Sequence, residues 1–277
     1  MFARIRDTTI YFDIDGAGLV PDGPRMRERP VAFVIHGGPG SDHSGFKPGY
    51  APLTRAMQLV YFDHRGQGRS ARDGDPARWT LGLGPIVSIG TSYGGMVGMA
   101  HAARYPDSVS HLILVVTAAH GGFIRRAREI LAERGTQEQQ AITAALWDGG
   151  FRSEEDVRRF HTVMGPLYSR RFDIQKAGPA LARLPYAPEP LNRAFGPDGF
   201  LRRFDLRPEL ARITAPTLII AGRHDWICPP EFSEEIHRLI PGSRLEIFEE
   251  SSHSIRADEP ERLMAAILDF VGAPVSD

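Results

Sequence analysis

Three side chains in this sequence have the types and the chain order that could turn a hydroxyl group into a nucleophile. Ser92 lies in the motif Gly-Thr-Ser-Tyr-Gly, and Asp225 and His253 come later in the chain, each a few residues past the end of a predicted strand. A serine hydroxyl is a poor nucleophile at neutral pH, so it needs a base within hydrogen-bond reach and a third group that orients the base. We therefore predict acyl-transfer chemistry, with Ser92 as nucleophile, His253 as base and Asp225 as its acidic partner.

The motif around Ser92 has the composition of a very tight turn between a strand and a helix. An apolar segment, residues 86–89, precedes it, and residues 96–104 follow with helical character. Glycines two positions before and after the serine let strand and helix approach closely, which leaves the hydroxyl standing clear of the sheet. Taken alone, the motif could be an ordinary glycine-rich turn; its place between a strand and a helix favours the nucleophile.

A second glycine-rich loop could hold the negative charge that develops on a carbonyl oxygen under attack. His36-Gly37-Gly38-Pro39-Gly40 follows the apolar run at residues 30–35, and its backbone N–H groups are not shielded by side chains. We predict that the N–H groups of Gly38 and Tyr93 form an oxyanion hole, with Gly37 beside the substrate. The alternative is a plain turn at the end of a strand. His36 is expected to support the loop rather than to react.

The remaining pattern predicts the elements that would position these residues. Runs of apolar residues are typical of strands buried on both faces of a parallel sheet, and they occupy residues 30–35, 86–89, 111–116 and 216–222. Two further strands are predicted at residues 58–62 and 244–248. Residues 3–5 and 9–12 are predicted to form a hairpin, and residues 16–30 a loop. Between residues 120 and 204 we find helical spacing and no convincing strand. We predict an α/β fold with a mostly parallel sheet flanked by helices: core at 1–119 and 205–277, helical cap at 120–204.

Composition narrows the class of protein. The chain has 277 residues, 42% hydrophobic and 24% charged, as expected for a globular protein with a sizeable core. A net charge of −1 gives no electrostatic reason to expect nucleic acid or an anionic membrane as a partner. Cys228 is the single cysteine, which excludes an intrachain disulfide. Without a signal-peptide pattern or a long apolar run, we expect a cytoplasmic protein that uses no metal and no cofactor.

Five motifs together resemble a known family, the prolyl iminopeptidase-like branch of the α/β hydrolases. They are HGGPG at 36–40, DHRGQGRS at 63–70, GTSYGG at 90–95, GRHD at 222–225 and SHS at 252–254. The resemblance implies the α/β-hydrolase fold and the assignment of Ser92, Asp225 and His253 as a catalytic triad. It also implies a substrate such as a short peptide that loses its N-terminal proline or another residue.

The chain departs from that family at three places. Trp226 occupies a position where some relatives carry a glutamate for the substrate ammonium group, so we expect Trp226 to offer the substrate a ring face instead. Ser252 replaces a usual glycine. Residues 64–84 are rich in Gly, Pro and Asp, and a helix of about a dozen residues that would cross between parallel strands is missing between Leu81 and Pro85. We hypothesise that the natural protein carries this helix.

Two enzyme functions and one non-enzymatic function therefore stay open. The first is a prolyl iminopeptidase-like serine hydrolase; the second is a carboxylesterase, amidase or lactonase acting on neutral small substrates. A binding protein of this fold that has lost turnover is the third, and the complete set of three residues argues against it. The expected partner is a small molecule or short peptide, and the sequence does not determine the oligomeric state.

Overall fold

The computed structural model of this chain describes residues 1–5, 8–22, 25–71 and 85–272, and these residues build one large twisted sheet. The order of the eight strands is β1-β2-β6-β5-β7-β8-β9-β10. The strands, including a separate pair β3 and β4, are β1 Phe2–Ile5, β2 Thr8–Asp15, β3 Leu19–Asp22, β4 Arg25–Glu28, β5 Val31–Ile35, β6 Gln58–Phe62, β7 Ile86–Thr91, β8 Val109–Val115, β9 Thr217–Gly222 and β10 Arg244–Phe248.

The six strands β5 to β10 are parallel to one another, whereas β2 pairs with β6 in antiparallel orientation and β1 pairs with β2 in antiparallel orientation. All six strands predicted from residue 30 onward are present, and so is the N-terminal hairpin. Every residue of β7 and of β9 is buried, as expected for strands covered on both faces. The sheet therefore has the α/β architecture that the apolar runs predict.

One prediction about the N-terminal region is wrong. Residues 16–30 contain the antiparallel pair β3 and β4, with Leu19 opposite Glu28 and Asp22 opposite Arg25, rather than a structureless loop. Seven of the eight residues in this pair are exposed. The pair buries almost nothing, so its sequence lacks the apolar alternation by which a strand is recognised.

Helices cover the sheet and form a separate layer above its carboxyl edge. They are α1 Lys47–Tyr50, α2 Tyr93–Arg104, α3 Gly122–Arg134, α4 Gln137–Asp148, α5 Glu154–Tyr168, α6 Ile174–Arg183, α7 Pro188–Phe195, α8 Pro230–Leu239, α9 Ile255–Asp258 and α10 Pro260–Phe270, with short 3-10 helices at Ala51–Arg55, Pro106–Ser108, Phe200–Arg202 and Arg207–Arg212. Helices α3 to α7 follow one another between β8 and β9, where the sequence predicts a cap.

Local sequence fixes where the cap helices begin. The hydroxyl of Ser153 accepts from the Asp156 N–H, and the Asp156 carboxylate accepts from the Ser153 N–H, so both ends of a capping box are closed at α5. Thr136 and Gln139 form the same arrangement at α4. Each cap is typically worth about 1 kcal/mol, which gives these amphipathic segments defined ends before they pack.

The hypothesised loss of a helix at residues 79–84 lies outside the described residues. Of the helices in the described part of the chain, none has the length and apolar character needed to cross a bilayer.

Candidate active site

Ser92 stands on a strained turn between the end of β7 and the start of α2. Its backbone has φ 55° and ψ −121°, a conformation that side-chain-bearing residues rarely adopt. The turn closes so tightly that a Cβ on Gly90 would lie 2.4 Å from the Gly94 carbonyl oxygen, and one on Gly94 would lie 2.2 Å from the Ile35 carbonyl oxygen. Glycine at both positions is therefore a steric requirement of the turn, which presents the Ser92 hydroxyl at the carboxyl edge of the sheet.

The structure brings Ser92, His253 and Asp225 together in one hydrogen-bonded series. The Ser92 Oγ lies 3.0 Å from His253 Nε2, and His253 Nδ1 lies 2.7 Å from Asp225 Oδ2. Asp225 is 1% exposed, and its second oxygen accepts from the backbone N–H groups of Ile227 and Cys228 at 2.8 and 3.0 Å. The carboxylate is thus held from both sides, with one oxygen left to orient the imidazole.

The loop that carries His253 is anchored by its neighbours. The Ser252 hydroxyl donates to the carbonyl oxygen of Leu167 at 2.6 Å, at the end of α5, so the serine that replaces a glycine is tied to the cap. The backbone N–H of Ser252 donates to Asp258 Oδ2 at 2.8 Å, while Asp258 Oδ1 accepts from the Ser169 hydroxyl at 2.6 Å. Asp258 therefore links the His253 loop to the segment after α5, a role that its spacing in sequence did not reveal.

The HGGPG loop lies against Ser92 and lines the same cavity. A Cβ on Gly37 would lie 3.3 Å from the Cβ of Ser92, which shows how closely this loop approaches the nucleophile. Gly38 has a φ of 133°, which favours glycine there. Tyr93 is the first residue of α2, so its N–H has no acceptor within the helix. Gly37 and Gly38 both line the cavity that contains Ser92.

Buried histidines and an aspartate fix this loop from behind. The His36 ring accepts from the His64 N–H at 3.2 Å, and the His64 ring contacts the His36 carbonyl oxygen at 3.0 Å. Burial lowers the pKa of His64 to about 3, so the ring is neutral at physiological pH. Asp63 is fully buried and accepts from the backbone N–H groups of His43 and Arg69. His36 thus has the supporting role that the sequence predicts, and Asp63 supports the loop as well.

A cavity of about 520 Å³ opens above Ser92 and His253, between the carboxyl edge of the sheet and the cap. Its walls are largely apolar. The aromatic residues that line it from the cap are Phe160, Tyr168, Phe172, Tyr186 and Phe195. Phe123 and Trp147 instead pack in the apolar interior of the cap.

The prediction that Trp226 contacts substrate is corrected. Trp226 is completely buried and does not line the cavity; its ring packs edge-on to Tyr168 at 5.5 Å and to Trp147 at 6.4 Å. The Asp225 side chain points to His253, and the next residue points into the cap interior. Tyr168, whose ring lies 5.5 Å from that of His253, separates Trp226 from the site.

The charged residues that line the cavity are mostly cationic. Arg171, Lys176 and Arg256 contribute positive charge, and Asp173 is the one carboxylate among the lining residues of this described cavity. Asp173 accepts from the Gln175 N–H at the start of α6 and lies 3.8 Å from the Lys176 ammonium group. Its charge is thus already partly compensated.

Cys228 offers no competing chemistry. It is buried beside Asp225, and burial first, with the neighbouring carboxylate second, raises the pKa of its thiol well above the usual value. Within residues 1–5, 8–22, 25–71 and 85–272, no three metal-ligating side chains converge. The reactive groups at this site are therefore the serine hydroxyl and the imidazole.

Known proteins share this arrangement of elements. The alpha/beta hydrolase fold family matches residues 30–260. A proline iminopeptidase, PfmaB, from Pestalotiopsis fici is 31% identical over 274 residues, which cover 93% of this chain and 97% of that protein. Of the solved structures, a proline iminopeptidase from Mycobacterium smegmatis gives a TM-score of 0.74 at 21% identity, with 98% and 97% of the two chains covered. An esterase from Exiguobacterium antarcticum gives 0.72 at 24% identity, with 98% and 99% covered, and both structures bear on the fold alone.

Proposed function

This chain belongs to the α/β hydrolase fold family, and from that premise we propose that it is a serine hydrolase cleaving a small carboxylic ester or amide. The observation that carries the proposal is the series Ser92–His253–Asp225, with distances of 3.0 and 2.7 Å, at the floor of the cavity. A hydroxyl, a base within reach and a buried carboxylate behind the base are the three parts that nucleophilic acyl transfer needs. We also propose the division into a core, at 1–119 and 205–277, and a cap at 120–204.

In the proposed mechanism, Ser92 Oγ attacks the substrate carbonyl carbon while His253 Nε2 takes the hydroxyl proton. The N–H groups of Gly38 and Tyr93 stabilise the oxyanion, and one such donor is typically worth about 3–4 kcal/mol. The imidazolium, stabilised by Asp225, then gives its proton to the leaving alcohol or amine as the bond to it breaks. Water, deprotonated by His253, attacks the acyl-serine and releases the acid and free Ser92.

For the substrate, we propose a prolyl iminopeptidase-like specificity on the basis of the motifs and of the proline iminopeptidase PfmaB at 31% identity. A second candidate is an esterase, amidase or lactonase without aminopeptidase activity. One observation favours this second candidate: a substrate ammonium group needs a free carboxylate, and Asp173 is engaged by Gln175 and Lys176. The two candidates share the same nucleophile and the same acyl intermediate.

A fluorophosphonate probe tests the nucleophile directly. We expect rapid labelling of the wild-type protein at Ser92, and no labelling or turnover in Ser92→Ala, whose circular dichroism should match that of the wild type. Ser88, which is buried in β7, provides a matched control because Ser88→Ala should still be labelled. Hydrolysis by Ser92→Ala at the wild-type rate would refute the assignment. Parallel assays with proline 4-nitroanilide and 4-nitrophenyl butyrate distinguish the aminopeptidase from the esterase.

A further inference from the structure

Arg256 differs from the other two cations that line the active-site cavity. Arg171 and Lys176 are exposed to solvent, whereas Arg256 is largely shielded from it. Its guanidinium lies 4.4 Å from the centre of the Phe46 ring, and its aliphatic stem passes close to Gly49 in α1. Arg256 follows His253 by three positions and lines the same cavity.

The guanidinium of Arg256 has no anionic partner among the described residues of the chain. Among residues 1–5, 8–22, 25–71 and 85–272, no carboxylate lies within ion-pair distance of it and no side chain or carbonyl accepts a hydrogen bond from it; the guanidinium lies over the face of Phe46 instead. Arg69, although more exposed, shows the usual arrangement, with Asp42 at 2.6 Å and Asp63 at 3.7 Å. A shielded cation without a counter-charge is costly, and burial lowers the pKa of Arg256 accordingly.

We propose that Arg256 binds a carboxylate of the substrate and so sets the specificity of the proposed hydrolase for anionic substrates. The inference rests on the proposed function because it assigns a substrate class to the same cavity. A guanidinium presents paired N–H donors that match the two oxygens of a carboxylate, and stacking on Phe46 holds that fork in place. One guanidinium provides one positive charge, which a single carboxylate balances. The apolar walls of the cavity accommodate the rest of a small substrate.

The carboxylate could belong to either half of the substrate, and two matched pairs distinguish them. Prolylglycine and prolylglycinamide differ by a carboxylate in the leaving half. Mono-4-nitrophenyl glutarate and its methyl ester differ by a carboxylate in the acyl half. In one of these two pairs, we expect kcat/KM of the wild type to be roughly 10- to 100-fold higher for the substrate with the carboxylate, as for a hydrogen-bonded charge pair. No preference in either pair would overturn the proposal.

Variants of Arg256 assign the preference to this side chain. Arg256→Met should remove the preference, because KM for the substrate with the carboxylate rises while kcat/KM for its neutral partner stays within about threefold of the wild-type value. Arg256→Lys should restore part of the preference. Arg104 is a matched control, because it also lies over an aromatic ring, that of Tyr105 at 5.8 Å, but is exposed and outside the cavity. Arg104→Met should leave the preference unchanged. If Arg256→Met lowers kcat/KM equally for the charged and the neutral substrate of a pair, the result contradicts the proposal.

Binding can be measured separately from turnover. Titration calorimetry with pentanoate and pentanamide on the Ser92→Ala variant should show binding of the carboxylate alone, and the added change Arg256→Met should abolish it. Equal binding of acid and amide would overturn the role of Arg256 whatever the labelling of Ser92 shows. Conversely, if Ser92 resists the fluorophosphonate but pentanoate still binds through Arg256, the hydrolase proposal fails and the carboxylate site stands.

Discussion

The backbone strain at Ser92 predicts that the nucleophile lowers the stability of the protein. At φ 55° and ψ −121°, a residue with a Cβ carries strain that typically costs about 1–3 kcal/mol, whereas glycine adopts this conformation freely. Glycine also loses about 0.5–1 kcal/mol more conformational freedom on folding than alanine does. The difference leaves Ser92→Gly more stable than Ser92→Ala by about 1 kcal/mol. Both variants lack the hydroxyl, so the lost hydrogen bond to His253 cancels in the comparison.

Urea or thermal unfolding of the two inactive variants measures this difference. For a domain of this size, about 1 kcal/mol corresponds to roughly 2–4 °C in Tm. Ala132 in α3 is a matched control, since it is exposed on an ordinary helix. Ala132→Gly should destabilise the protein by about 1 kcal/mol, the opposite sign. The reasoning fails if Ser92→Gly is less stable than Ser92→Ala. Glycine at position 92 would then destabilise the protein as it does at position 132, and the turn would not be strained.

Two further predictions concern the carboxylates around the site. Asp225→Asn should lower kcat on 4-nitrophenyl butyrate by on the order of 10³–10⁴-fold with the fold intact, because an amide does not stabilise the imidazolium; a loss below tenfold would argue against Asp225 as the acidic partner. Burial alone would raise the pKa of Asp63, but hydrogen bonds from His43 and Arg69 outweigh it and lower that pKa. A lowered folded-state pKa gives stability that is complete above the unfolded value of about 4 and is lost as pH falls further. Urea unfolding between pH 3 and 6 should therefore show a steeper loss in the wild type than in Asp63→Asn, and parallel curves would contradict this role.

The sheet and the grouping of Ser92, Asp225 and His253 are the features that follow most directly from sequence. Buried parallel strands are continuous apolar runs, and parallel strands bring their carboxyl ends to one edge, where residues far apart in the chain meet. The pair β3 and β4 could not be recognised because its side chains face solvent and carry no apolar period. Local patterns therefore predict the elements that bury apolar surface and fail for those that do not.

The direction in which a loop side chain points is harder to predict from sequence than the position of the loop in the fold. Asp225 and Trp226 are neighbours after β9, yet the carboxylate meets His253 while the indole packs behind Tyr168. Nothing in the loop sequence distinguishes these two directions, because the cap interior that receives Trp226 is built from helices elsewhere in the chain. Asp258 is a similar case, since its partners Ser169 and Ser252 come from the cap and from the His253 loop.

The same reasoning explains why the role proposed for Arg256 could not be predicted from the sequence around it. An arginine in a four-residue helix is normally a solvated charge, and its pattern gives no reason to expect otherwise. Packing of α1 beneath the cavity places Phe46 under the guanidinium and shields Arg256 from part of the solvent, and no acidic residue of the described chain comes with that packing. A hydrolase of this family that read a substrate ammonium group would need the opposite charge at its cavity wall. Tertiary contacts therefore determine which substrate charge the proposed site favours. The matched acid and amide substrates measure this preference as a ratio of kcat/KM values.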